Sequence, residues 1–205
     1  MTIRPYLDWR PDIGRGVWID PAATVIGRVT IGEDVSIWPG VVVRGDVNAI
    51  SIGARTSIQD GSVLHVASAR LAGGDGISLV IGEECTIGHS VVLHACTVGR
   101  RCLIGIGAIV MDGAVIGDEV IVGAGALVTA GKRLPPRTLW VGSPARQQRV
   151  LEAKEIAFLA ESAAHYVNLK NDYLRKRRGL SPSFQSRSSA PITGFVSGRT
   201  PCHRR

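Results

Sequence analysis

The chain has 205 residues, of which 45% are hydrophobic, 5% are aromatic and 25 are glycine. This composition argues against a helical bundle, because the core must come from small and β-branched aliphatic residues in a backbone with many bends. The formal net charge is +7, but eight of the 24 Lys and Arg residues lie from Arg175 onward, where there is no Asp or Glu. The rest of the chain is nearly neutral, so a basic nucleic-acid-binding domain is not expected.

No membrane or export signal is apparent in the sequence. No apolar run approaches the ~20 residues of a transmembrane helix. Residues 1–9 lack the apolar core of a signal peptide. We therefore expect a cytoplasmic protein with neither a membrane nor a nucleic acid as its partner.

A six-residue repeat of large apolar residues runs through most of the chain. A period of six is neither helical nor that of a simple alternating strand. It predicts a solenoid in which each unit is one short strand and a corner. The repeat positions are Ile31, Ile37, Val43, Ile52, Ile58, Leu64, Ile81, Ile87, Leu93, Val98, Ile104, Val110, Ile116, Val122, Val128, Leu134 and Trp140.

The position two residues before each repeat residue is mostly small, which suits a narrow prism of stacked coils. Cys85, Cys96 and Cys102 occupy such positions, so we predict buried, inert thiols. Over about residues 10–145 the chain resembles the hexapeptide-repeat family. This resemblance implies an all-β solenoid, a left-handed parallel β-helix with three six-residue faces in each coil of 18 residues.

The repeat pattern also predicts the domain organisation. The solenoid domain spans residues 1–145, with about 11 residues of turn composition looped out between Leu64 and Ile81. A loose apolar stripe then predicts a helix over residues 146–178, packed on the solenoid or on a neighbouring subunit. Residues 179–205 are rich in Ser, Pro, Gly and Arg, so we predict a basic, disordered tail.

Three histidines are candidate metal ligands. His65 and His94 each follow an inward leucine and point outward, and their separation of 29 residues is one coil plus the looped-out segment. Their imidazoles should stack about 4.8 Å apart on one face and could bind one metal ion. His89 lies on the preceding face, where outward side chains diverge, so we expect it to reach the pair only from a second chain.

Such a shared site predicts a closed homotrimer with three interfacial centres. Three neutral imidazoles with one open position form the ligand set of a catalytic Zn²⁺ site. Fe²⁺ and Co²⁺ are the alternatives, because this ligand set accepts them as well. The simpler alternative to a shared metal site is that the three histidines are unrelated surface residues.

Several short motifs carry a more specific resemblance. They are Ile37–Gly40, Arg44–Asp46, Ile58–Gly61, Leu64–His65, Gly88–His89, Leu93–His94 and Val141–Ala145. On these motifs, and over about residues 5–175, the chain resembles γ-class carbonic anhydrase-like proteins of the bacterial YrdA- and PaaY-type branch. The resemblance implies reversible hydration of CO₂ to bicarbonate, with the three histidines as the metal ligands.

The resemblance also implies roles for five further residues. Gln59 would orient the hydroxide held by the metal, and Tyr166 would approach the site from the C-terminal helix. Arg44 and Asp60 would form an ion pair across the subunit interface, with Asp46 beside them. Such partners fix the geometry of metal ligands.

Two other functions stay open at this point. The first is CoA-dependent acyl transfer, the commonest activity on this repeat, with His65 or His94 as the base, or hydrolysis of a CoA thioester by the same centre. The second is a non-catalytic metal-binding scaffold. Residues 67–77 contain no Glu, so the acidic proton-transfer loop of the archetypal archaeal enzyme has no counterpart and the proton shuttle is unassigned.

Overall fold

The computed structural model describes residues 2–177, and the tail predicted to be disordered lies outside them. The described chain winds into a parallel β-solenoid of about eight turns, which confirms the fold predicted from the repeat. Its strands are β1 Thr2–Arg4, β2 Asp12–Ile13, β3 Trp18–Ile19, β4 Thr24–Ile31, β5 Ser36–Ile37, β6 Val42–Ile52, β7 Ser57–Ile58, β8 Val63–His65, β9 Leu79–Ile81, β10 Thr86–Ile87, β11 Val92–His94, β12 Thr97–Val98, β13 Leu103–Ile104, β14 Ile109–Val110, β15 Val115–Ile116, β16 Ile121–Val122, β17 Leu127–Val128, β18 Arg133–Leu134, β19 Thr138–Val141 and β20 Arg146–Val150.

Two sheets form the faces of the prism. One face has the strand order β20-β19-β16-β13-β10-β7-β5-β3. The other two faces form one twelve-stranded sheet, because the long strands β4 and β6 continue around a corner. Its main path is β17-β14-β11-β8-β6-β9-β12-β15-β18, and β4 pairs with β6 and with β1 and β2. Neighbouring coils pair in parallel and in register, so inward residues such as Leu64, Leu93 and Val110 stack in one column and are fully buried.

The three cysteines predicted to be buried are buried. Cys85, Cys96 and Cys102 are free thiols inside the prism. Burial raises the pKa of Cys96 to about 12. A thiol with such a pKa is protonated at neutral pH and is a poor nucleophile.

One edge of the prism carries charged corner residues whose sign alternates from coil to coil. Glu119 is the most buried of them, and its two carboxylate oxygens contact Arg101 in the coil before and Arg137 in the coil after. Since opposite charges meet only when neighbouring coils are in register, this edge favours the observed register. The corner residues are Arg15, Glu33, Asp34, Arg55, Glu83, Glu84, Arg100, Arg101, Asp118, Glu119 and Arg137.

The C-terminal helix begins later than the sequence predicts. The sequence predicts a helix for residues 146–150, but they form β20, which pairs antiparallel with β19. This strand pairs with the backbone hydrogen-bonding groups of the last coil, which would otherwise be exposed. The apolar stripe in the sequence carries no information about this pairing. Helix α2 spans Ala153–Arg177, and Glu155 in its first turn accepts hydrogen bonds from the Glu152 backbone and from Arg149.

Helix α2 runs along the face formed by β3, β5, β7 and β10. Ser36, Ser57 and Thr86 are small outward residues on this face, and they leave room for the helix. Side chains one helical turn apart reach successive coils, because the ~5.4 Å helix pitch is close to the ~4.8 Å strand spacing. No helix of residues 2–177 is long and apolar enough to span a membrane.

Candidate metal centre

His65 and His94 lie side by side on adjacent coils. They end strands β8 and β11, which pair in parallel with His94 opposite His65. Their ring centroids are 5.1 Å apart, and His65 Nδ1 lies 3.1 Å from His94 Nε2. The placement of both histidines on one face, predicted from their spacing, is confirmed.

Each of the two imidazoles also contacts a carboxylate. His65 Nε2 lies 3.1 Å from Asp46 Oδ1, and His94 Nδ1 contacts Asp112 Oδ1. An ionised carboxylate only accepts hydrogen bonds, so these two ring nitrogens carry the hydrogens. In the neutral imidazoles, the unprotonated atoms are therefore His65 Nδ1 and His94 Nε2, the pair that face each other.

This arrangement suits a cation between the two rings. Two lone pairs 3.1 Å apart repel each other unless a positive charge lies between them. Two imidazole nitrogens that bind one tetrahedral Zn²⁺ at about 2.0–2.1 Å are about 3.3 Å apart, close to the observed separation. The donor set of this chain therefore fits a divalent metal ion at His65 and His94.

Burial and neighbouring charges keep His65 in the state that a metal requires. Burial lowers the pKa of His65, and the nearby Arg44 adds to this effect. Burial alone would raise the pKa of Asp46, but hydrogen bonds from Arg44 and His65 hold it below its usual value. At neutral pH the structure thus favours a neutral imidazole beside an ionised carboxylate.

His89 lies apart from this pair. Its Nδ1 is 3.0 Å from Asp60 Oδ2, and both side chains are about half exposed. Among residues 2–177, no three His, Cys, Asp or Glu side chains are grouped closely enough to hold a metal ion. The divergence of His89 from the pair agrees with the sequence prediction, and its contribution to the site from a second chain stays a prediction.

Gln59 and Tyr166 are brought together. Gln59 follows β7 and is buried, and its side chain lies close enough to the hydroxyl of Tyr166 on α2 to influence it. Burial raises the pKa of Tyr166, so its hydroxyl keeps its proton at neutral pH. Trp38 packs against the Tyr166 ring with centroids 6.4 Å apart and anchors itself by donating to Ser57 Oγ.

The partners of Arg44 and Asp60 within one chain differ from the pair that the resemblance implies. Arg44 contacts Asp46, and Asp60 contacts His89. Sequence spacing alone does not distinguish Asp46 from Asp60 as the partner of Arg44. An Arg44–Asp60 ion pair between subunits stays a prediction.

Two residues near the centre are not predicted from the sequence pattern. Asp112 contacts His94, and the signal that could have found it is the five-residue step from Leu93 to Val98, one residue short of the repeat. Asn48 donates to the backbone oxygens of Ala67 and Asp75, and so it ties down the looped-out segment that follows His65. This segment contains the short helix α1, Ala69–Ala72.

Comparisons with known proteins agree with this architecture. The model of the family described as "Bacterial transferase hexapeptide (six repeats)" matches residues 10–45 and 95–130. Protein YrdA of Escherichia coli (strain K12) is 49% identical over 181 residues, 88% of this chain and 98% of that relative. Gamma carbonic anhydrase 1, mitochondrial, of Arabidopsis thaliana is 46% identical over 168 residues, 82% of this chain and 61% of that relative.

A solved structure extends the likeness to three dimensions. The crystal structure of a hexapeptide transferase family protein from Anaplasma phagocytophilum matches with a TM-score of 0.78 and 40% identity, over 84% of this chain and 98% of that one. The chain belongs to the hexapeptide-repeat family, in its branch of γ-class carbonic anhydrase-like proteins.

Proposed function

We propose that this protein is a metal-dependent γ-class carbonic anhydrase that reversibly hydrates CO₂ to bicarbonate. The observation that carries the proposal is the pair of facing nitrogens, His65 Nδ1 and His94 Nε2, each on a ring held by its own carboxylate. Zn²⁺ is the proposed ion, with Fe²⁺ and Co²⁺ as alternatives. The family membership supports the proposal, since relatives of this chain are named carbonic anhydrases.

The third ligand would be His89 of a second copy of the chain. Asp60 Oδ2 lies beside His89 Nδ1 and favours the hydrogen on that nitrogen, which would leave His89 Nε2 as the donor atom for a metal ion. A carboxylate behind each imidazole is the usual outer shell of a histidine metal site. When bound, a divalent cation in such a site supplies a nucleophile from water near neutral pH.

Gln59 and Tyr166 would orient this nucleophile toward CO₂. The Gln59 amide is buried beside the hydroxyl of Tyr166, so it has little freedom to reorient before substrate arrives. An amide held in this way loses little freedom in the transition state. Tyr166 would therefore act through Gln59 as a positioning residue.

The face that carries His65 and His94 supports assembly into a homotrimer. Beside the two histidines, the outward residues of five consecutive strands form one apolar column. Val63 and Ile109 in this column are each about 40% exposed in the single chain. Contact with a second copy would bury the column and bring His89 to the pair. The column consists of Val42, Val63, Val92, Ile109 and Leu127.

The metal content of the purified protein tests the proposal. We expect about one Zn²⁺, Fe²⁺ or Co²⁺ per subunit by plasma mass spectrometry, lost in His94→Ala and kept in the matched control His203→Ala. Light scattering should give the mass of three subunits, and stopped-flow assays should show CO₂ hydration that requires the metal. No bound metal after incubation with Zn²⁺ or with anaerobic Fe²⁺ would overturn the proposal.

Acyl transfer is the second candidate, because the matching family model describes transferases. CoA binding to the metal-free protein, measured by titration calorimetry, would favour it, with His65 or His94 as the base. Metal-dependent cleavage of a CoA thioester without CO₂ hydration would favour a thioester hydrolase. Bound metal without turnover of either substrate would indicate a metal-binding scaffold.

A further inference from the structure

Asp112 lies in a corner of regular repeat length that stacks against the shortened corner after His94. Strands β11 and β14 pair with Leu93 opposite Val110, and β12 and β15 pair with Thr97 opposite Val115. The corner of the later coil therefore contains one residue more than the corner after His94. Asp112 lies in this longer corner, and its carboxylate reaches back to the imidazole of the coil before.

The contact of Asp112 determines which nitrogen of His94 is available. With the hydrogen on Nδ1 directed at Asp112, the lone pair is on Nε2, which points at His65 Nδ1. The opposite tautomer would direct a hydrogen at His65 and the lone pair at Asp112, so His94 would present no donor atom to an ion between the two rings. A ring without this contact could also rotate, because the His94 side chain is more than a third exposed.

We propose that Asp112 is a positioning residue that holds His94 in the Nδ1-protonated tautomer, with Nε2 directed at the ion. The inference rests on the proposed function for the identity of the ligand that His94 binds. Asp46 accepts a hydrogen bond from His65 Nε2 on the side of that ring away from His94. Each of the two imidazoles is therefore oriented by its own carboxylate. The register slip after Leu93 is thus part of the site.

Metal affinity and tautomer are the two measurements that test Asp112. For Asp112→Ala we expect Zn²⁺ and Co²⁺ to bind about 10- to 100-fold more weakly than to wild type in chelator competition. Long-range ¹⁵N–¹H NMR of the metal-free protein, at a pH where the imidazoles are neutral, should show Nδ1–H on His94 in wild type and a tautomer mixture in the variant. Asp118→Ala, which removes the same charge from another edge of the prism, should behave as wild type.

Asp112→Asn is the second variant, because its amide oxygen still accepts a hydrogen bond in the same volume. It should fall between wild type and Asp112→Ala in affinity, and thermal unfolding should show that both variants stay folded. Affinities within twofold of wild type, or a His94 that stays fully Nδ1-protonated in Asp112→Ala, would overturn the role of Asp112. If wild type binds neither ion, the proposed function fails, and the tautomer measurement alone then decides whether Asp112 fixes the ring.

Discussion

Lys170 Nζ lies 2.7 Å from Asp34 Oδ1, although no part of the lysine side chain is exposed. The ammonium also donates to the side-chain oxygen of Asn171 at 2.6 Å. Helix α2 is therefore fixed to the solenoid by a buried charge one helical turn beyond Tyr166. The stability of this contact bears on the site, because α2 carries the hydroxyl that reaches Gln59.

The two halves of this ion pair should respond differently to substitution. Asp34→Asn leaves the buried ammonium without a counter-charge and should lower the free energy of unfolding by about 3 kcal/mol. Lys170→Met fills the same space without a charge, and Asp34 is exposed enough to be hydrated, so the loss should stay within about 1 kcal/mol. Urea unfolding of both variants measures the difference, and an equal loss would contradict this interpretation.

Tyr166→Phe tests the positioning of Gln59. Without the hydroxyl, the Gln59 amide loses a polar neighbour, so kcat/KM for CO₂ hydration should fall about tenfold, or about 1.4 kcal/mol of transition-state stabilisation. The metal content should not change. Tyr173→Phe is the matched control. Tyr173 is on the same helix as Tyr166, and its ring packs against Trp18 and Trp38 of the solenoid. Equal activity of both variants would remove Tyr166 from the mechanism.

Glu155 predicts a defined pH dependence for the start of α2. Its hydrogen bonds with Arg149 lower its pKa from 4.5 to about 2. Because the folded-state pKa lies below the unfolded one, this carboxylate stabilises the fold above pH 4.5, and the contribution disappears as the pH falls toward 2. The side chain of Glu155 is only partly exposed, but its partner Arg149 is open to solvent, which screens the pair. We therefore expect about 1 kcal/mol at neutral pH.

Glu155→Gln therefore should be less stable than wild type at neutral pH and equal to it near the acid end of that range. Thermal unfolding over a pH series checks this, with Glu161→Gln, an exposed glutamate on the same helix, as the control. A stability difference that does not shrink as the pH falls would contradict the assigned cause.

Glu119 should contribute more to the free energy of unfolding than Glu33, which lies at the other end of the charged edge. Its side chain is 5% exposed and bridges Arg101 and Arg137, so Glu119→Gln should cost about 2 kcal/mol of unfolding free energy. Glu33 pairs with Arg15 in solvent, so Glu33→Gln should cost less than about 1 kcal/mol. Chemical unfolding compares the two variants, and similar losses would show that burial of Glu119 adds nothing.

The sequence predicts those parts of the centre that follow from the repeat. His65 and His94 could be placed on one face because parallel coils in register stack equivalent positions. Asp112 could not, since its contact depends on a corner that is one residue longer than its neighbour. The partner of Arg44 likewise depends on side-chain direction within a corner rather than on spacing.

In the C-terminal region the sequence pattern predicts a helix where the structure has a strand. Val150 and Leu151 fit an apolar helical stripe, and the sequence therefore predicts a helix from about residue 146. The final coil, however, presents unpaired backbone groups, and β20 pairs with them before α2 begins at Ala153. A requirement of the whole solenoid thus overrides the local preference of five residues.

The segment after His65 leaves and re-enters the solenoid at a single point. Ala67 and Ile77 exchange two backbone hydrogen bonds of 3.0 Å, which close the excursion like the neck of a loop. The coils before and after this segment pair through β8 and β11, and this pairing does not involve the residues between Ala67 and Ile77. Its length and charge can therefore diverge freely between related chains, so one unchanged pair of imidazoles can be given many different surroundings in the course of evolution.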